Sequence, residues 1–166
     1  MNQLPGHPHF AWHGDALHAE QVRLDALAQQ YGTPLFVYSK ASMLEALAAY
    51  QRGFAGRKVK ICYAMKANSS LGVLQVFARA GCGFDIVSGG ELERVLTAGA
   101  QPQDIIFSGV GKTRAEMQRA LAVGIGCFNV ESEAELEVLS AVASAAGKTA
   151  AVSIRVNPNV DPKTNT

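Results

Sequence analysis

From about Glu20 onward the chain alternates between two hydrophobic rhythms. Short β-branched or aromatic runs, in which neighbouring side chains take opposite faces, are each followed by an amphipathic stretch and a Gly-containing turn. The runs predict strands at Pro34–Tyr38, Val59–Met65, Gly83–Val87, Asp104–Phe107, Gly126–Val130 and Ala150–Asn157. The stretches between them predict helices at Ala41–Gln51, Ser70–Ala80, Gly90–Ala98, Arg114–Val123 and Glu133–Ala146, with another at about Glu20–Tyr31. Thr113 followed by Glu116 reads as a capping box, and Ser132 with Glu133 and Glu135 as a second helix start. Gly32, Gly81, Gly99 and Gly124 stand where helices should end. The first residues show no such rhythm and are read as an irregular opening.

Strand–helix alternation with short connections implies an α/β protein with a parallel sheet, doubly wound or closed as a barrel. Successive strands recur roughly every 20–25 residues, one (β/α) unit after another, and a complete eight-stranded barrel takes about 250 residues. A chain of 166 residues therefore reads as only the first part of such a barrel. Charge adds an exclusion. Fifteen Lys and Arg against fourteen Asp and Glu leave a formal net charge of +1, which gives no bulk attraction to nucleic acid or membrane surfaces. No apolar run approaches the ~18 residues of a membrane span, and the opening has no signal-peptide pattern. The cysteines Cys62, Cys82 and Cys127 are widely spaced, which fits a reducing, cytoplasmic setting rather than a disulfide framework or a zinc site. All four histidines precede residue 19, so no metal site is expected.

The chemistry gathers at strand ends. In Val59–Met65 the large residues Val59, Ile61, Tyr63 and Met65 share one face, while Lys60, Cys62, Ala64 and Lys66 share the other. Lys66 thus sits at the C-terminal mouth of a strand beside small neighbours, where barrel enzymes place catalytic groups. A lysine desolvated there can form a Schiff base with a carbonyl; the plainer alternative is a solvated lysine at a strand end. Asp85 lies in an otherwise small or apolar strand and is expected to meet a cation, with Lys66 nearest, unless it caps a turn. Arg155 projects from the small-residue face of the last strand. Three charged groups in phase at one rim are a site signal. Ser108-Gly109-Val110-Gly111-Lys112-Thr113 imitates the end of a phosphate-binding P-loop, but Ile106 stands where that pattern needs Gly. Its glycines are read as serving a tight turn.

Five segments in register carry a family resemblance. They are Tyr31-Gly32-Thr33-Pro34-Leu35-Phe36-Val37-Tyr38, Tyr63-Ala64-Met65-Lys66-Ala67-Asn68, Gly83-Phe84-Asp85-Ile86-Val87-Ser88-Gly89-Gly90-Glu91-Leu92, Phe107-Ser108-Gly109-Val110-Gly111-Lys112 and Arg155-Val156-Asn157-Pro158. Together they resemble the diaminopimelate decarboxylases, from about residue 20 to the end. The resemblance implies an alanine-racemase-like (β/α)8 TIM-like barrel binding pyridoxal 5′-phosphate (PLP), here about five barrel strands, and a β domain formed mainly by later sequence. It divides the chain into a lead-in segment, residues 1–33, and the N-terminal part of the barrel domain, residues 34–166. It makes Lys66 the catalytic and cofactor-holding lysine, with Ala64, Asp85 and Arg155 lining the cofactor pocket. The implied activity is decarboxylation of meso-2,6-diaminopimelate to L-lysine and CO2 by a cytoplasmic homodimer. A related ornithine or arginine decarboxylase and a non-catalytic PLP-binding protein remain the alternatives. In this family the phosphate loop, the acid facing the pyridine nitrogen and the substrate-carboxylate ligands come later in the chain. Residues 1–166 alone are therefore expected to be inactive.

Overall fold

The structure, a computed structural model, describes residues 2–4 and 7–156. Two compact units meet in sequence at Ile61/Cys62. In the first, Asn2–Leu4 (β1), His7–His13 (β2), Ala16–Ala19 (β3) and Val22–Arg23 (β4) form an antiparallel sheet in sequential order. This corrects the irregular opening expected from the sequence. These strands are short, so pairing rather than a long alternating pattern defines them. Helix α1 (Leu24–Tyr31) follows, beginning later than the expected Glu20 because β4 occupies the intervening residues.

The expected strand at Pro34–Tyr38 is also corrected. The segment is non-regular, starts at a cis Thr33–Pro34 bond and exposes Phe36 and Tyr38. Its β-branched and aromatic content suits a strand, but it joins no ladder. Helix α2 (Lys40–Gly53) begins at Ser39, whose hydroxyl accepts from Ser42 N and donates to Glu20 (2.7 Å). Glu20 also accepts from Ala41 N at 2.9 Å, so its carboxylate caps the same helix. Those donors hold its pKa below the ordinary carboxylate value.

The second unit is the parallel βα array. Strands Cys62–Ala64 (β5), Gly83–Ile86 (β6), Ile105–Phe107 (β7), Cys127–Val130 (β8) and Val152–Ile154 (β9) lie side by side in chain order. Between them run Leu71–Arg79 (α3), Gly89–Thr97 (α4), Arg114–Val123 (α5) and Glu133–Ala145 (α6). Chain-order neighbours joined by helices are what an unfinished barrel wall requires. Each strand is shorter than its expected run, while Arg114–Val123 coincides with the sequence reading. The end of the expected last strand, at Asn157, lies outside the described residues.

One face of the sheet is bulky. Met65, Phe84, Ile86, Ile105, Phe107, Phe128 and Val130 are buried together with Leu74, Leu92, Val95, Met117 and Leu139 of the helices. Burial of each such side chain contributes about 1.5–3 kcal/mol. Tyr63 stacks on Phe77 (ring centroids 4.4 Å apart) and meets Phe84 edge-on, while Phe107 lies against Phe128. The opposite face carries Cys62, Ala64, Asp85, Cys127, Asn129 and Ser153, small or polar residues that follow from the same alternation, with Ile106 as its one large apolar side chain among these strands.

Candidate active site

The small-residue face opens at the C-terminal ends of the strands into a cleft of about 440 Å³. Lys66, Asp85, Ser108, Asn129, Glu131 and Arg155 contribute to its lining, with the backbone around Gly109. All of these residues come from the C-terminal halves of the strands or the segments just after them. Asp85 and Asn129 point inward from β6 and β8 themselves, while Lys66, Ser108, Glu131 and Arg155 follow just after β5, β7, β8 and β9.

Lys66 leaves β5 in a single 3-10 turn, Met65–Ala67, anchored by the fully buried Met65. The Tyr63 hydroxyl donates to the Asn68 carbonyl (3.2 Å), and the Asn68 side chain accepts from Ser70 N (2.9 Å). The turn is thereby fixed on both sides of the lysine. Lys66 itself is exposed, not desolvated, and its ammonium makes no hydrogen bond or ion pair among the described residues. Ala64 lies level with Asp85 on the neighbouring strand, half-buried and outside the residues lining the cleft.

The expected cation beside Asp85 is replaced by a hydroxyl. Ser108 donates to Asp85 at 2.5 Å and accepts from the Asn129 amide at 2.8 Å. Asp85 is level with Ile106 and Cys127, so Ser108, just past β7, and Asn129 lie one inward-facing step further toward the C-terminal rim. Arg155 reaches the cleft and pairs with Glu131 at 3.1 Å; the glutamate is 11% exposed and the arginine 58%. Glu131 also accepts from Gly109 N at 2.8 Å. The sequence reading missed Ser108, Asn129 and Glu131. Asn129 and Glu131 follow Cys127 with period two, the same signal that picks out Lys66, Asp85 and Arg155. Among the described residues no group of three or more His, Cys, Asp or Glu is placed to hold a metal ion.

A primary amine without a partner among the described residues, a fixed carboxylate and a guanidinium face one open cleft. Residues 40–166 match the model of the pyridoxal-dependent decarboxylase family, in its pyridoxal-binding domain. The chain belongs to this family. It is 54% identical over 156 residues to diaminopimelate decarboxylase of Pseudomonas aeruginosa, covering 94% of this chain and 38% of that relative. It is 58% identical over 149 residues to the Vibrio cholerae enzyme of the same name, covering 90% and 36% respectively. Among solved structures, diaminopimelate decarboxylase from Helicobacter pylori complexed with L-lysine superposes with a TM-score of 0.81 at 44% identity. That match covers 84% of this chain and 36% of the Helicobacter chain. The chain thus spans well under half the length of these relatives. The family membership agrees with a partial α/β barrel whose parallel strands run in chain order. No helix among the described residues is long and apolar enough to cross a membrane.

Proposed function

We propose that this chain is the N-terminal part of a PLP-dependent carboxy-lyase that converts meso-2,6-diaminopimelate to L-lysine and CO2. The observation that carries the reading is the meeting of Lys66, Asp85 and Arg155, from separate strand ends, around one cleft. The donor set fits the cofactor: a free amine for its aldehyde carbon, room beside that amine, and charged groups of both signs. When bound, PLP supplies the electron sink that accepts the pair left behind as the substrate carboxylate departs as CO2.

The chain's own residues then have definable tasks. Lys66 would hold the cofactor covalently through its amine. Asp85, fixed by Ser108, presents a carboxylate of constant orientation. Arg155, steered by Glu131, presents a cation that the carboxylate keeps from wandering into solvent. Ala64, on the inward face of β5 two residues before Lys66, brings only a methyl group to that face. We assign residues 34–166 to the PLP-binding barrel and residues 1–33 to a lead-in segment, in a cytoplasmic protein that works as a homodimer.

The test joins residues 1–166 to the C-terminal remainder of the Pseudomonas aeruginosa relative, giving a full-length hybrid. Borohydride reduction in the presence of PLP is expected to fix the cofactor on the peptide containing Lys66, located by mass spectrometry. Lys66→Ala should abolish both that labelling and CO2 release from diaminopimelate. Labelling that persists in the variant would assign the cofactor to another lysine and refute the reading.

A further inference from the structure

The P-loop-like run Ser108–Thr113 contains a lysine with no role in the chemistry above. The Lys112 side chain is fully buried, its ammonium 5.7 Å from the centre of the Phe107 ring. A buried ammonium is costly unless each of its donors is met. Here all three are. Lys112 Nζ donates to the Gly109 carbonyl (2.6 Å), the Asn129 carbonyl (2.8 Å) and Glu135 Oε1 (2.6 Å).

These bonds close a ring around the rim of the cleft. Glu135 Oε2 accepts from Glu131 N at 2.9 Å, and Glu131 Oε1 accepts from Gly109 N at 2.8 Å. The second Glu131 oxygen is the one that holds Arg155. The loop after β7, the end of β8 and the first turn of α6 are therefore fastened to one ammonium, and the ring discharges onto a cleft residue. Ser108 and Asn129, which orient Asp85, sit on the two segments that Lys112 ties together.

We propose that Lys112 is a positioning residue of the cofactor cleft. It sets the distance between the β7 loop and the end of β8, and through them the placement of Asp85 and Arg155. It does not touch the cofactor. The inference rests on the PLP reading of the cleft, and the experiment separates the two.

The full-length hybrid is titrated with PLP and its dissociation constant read spectroscopically, with thermal unfolding measured in parallel. Lys112→Met keeps the length of the side chain and removes all three donors. Its PLP dissociation constant is expected to rise roughly tenfold or more, by analogy with the loss that follows removal of an outer partner at a metal site. Lys148→Met is the control: Lys148 ties the carbonyls of Leu121 and Ala122 at 2.6 and 3.2 Å, away from the cleft. That variant should melt earlier with PLP affinity intact. Should Lys112→Met fail to fold because Glu135 is left buried without a cation, the double variant Lys112→Met/Glu135→Gln removes that charge and must show the same loss of affinity. A Lys112 variant that only melts earlier, with PLP binding unchanged, overturns the proposal. If the unsubstituted hybrid takes up no PLP, the reading of the cleft fails first, and the proposal with it.

Discussion

Gly109 shows how much one position can be asked to do. Its φ of +96° lies in a region that L side chains rarely adopt, its N–H serves Glu131, and a Cβ there would sit 3.3 Å from that of Val87. Gly109→Ala is expected to cost about 1–2 kcal/mol from the backbone alone, read as a lower urea midpoint. A midpoint equal to the parent's would mean that the loop relaxes to a negative φ. The sequence marks this glycine as a turn former, and it is one. Lys66, Asp85 and Arg155 are legible for a similar reason, since period-two alternation in a strand fixes which face a side chain takes. Lys112 is not legible in that way. Its partners come from the β7 loop, the end of β8 and α6, and only the register of parallel strands brings those acceptors to one ammonium. The Asp85 partner is hidden on the same ground: the sequence shows the charge, whereas the neighbouring segment just past β7 supplies the Ser108 hydroxyl.

Among the elements, α5 is the most completely specified by local sequence. Thr113 accepts from Glu116 N and Glu116 answers by accepting from Thr113 N at 2.8 Å, the reciprocal pair that the spacing promised. Glu116 adds something the spacing does not reveal, because its other oxygen accepts from Gly89 N (2.6 Å) at the start of α4. One carboxylate thus fastens two helix N-termini. The N–H donors of Thr113 and then Gly89 hold its pKa below the ordinary 4.5. A carboxylate with a lowered folded-state pKa contributes stability that is complete above its unfolded value and is lost as pH falls through the folded one. Acid titration of stability should therefore steepen below about pH 4.5 in the parent, and Glu116→Gln should flatten that limb while lowering stability at neutral pH. Parallel acid limbs for the two proteins would show that Glu116 is not the group responsible. The elements that sequence misses are those without strong local signals. The N-terminal strands are fixed by their partners, and the segment after Pro34 has strand-like residues but no neighbour to pair with.

On the scale of the whole molecule, β9 is the last strand of the sheet among the described residues, and its apolar side chains lie in the open. Val152, Ile154 and Val156 are 43%, 69% and 76% exposed, although they share the phase that is buried on the inner strands. An edge strand of this kind offers both unpaired backbone groups and a hydrophobic face to another chain. Residues 1–166 expressed alone are therefore expected to self-associate with rising concentration, and to release no CO2 from diaminopimelate. Ile154→Lys places a charge on the exposed face and should shift sedimentation toward the monomer without lowering the unfolding midpoint. In the full-length hybrid the same substitution should have the opposite consequence. The repeating βα order puts a helix against the bulky face of every preceding strand, and a helix following β9 would cover Ile154 in the same way. A lysine buried there without a partner should cost several kcal/mol and lower the hybrid's midpoint sharply. A hybrid that tolerates Ile154→Lys as well as the isolated chain does would mean that the βα order breaks at β9, and that the array is not the first part of a closed barrel.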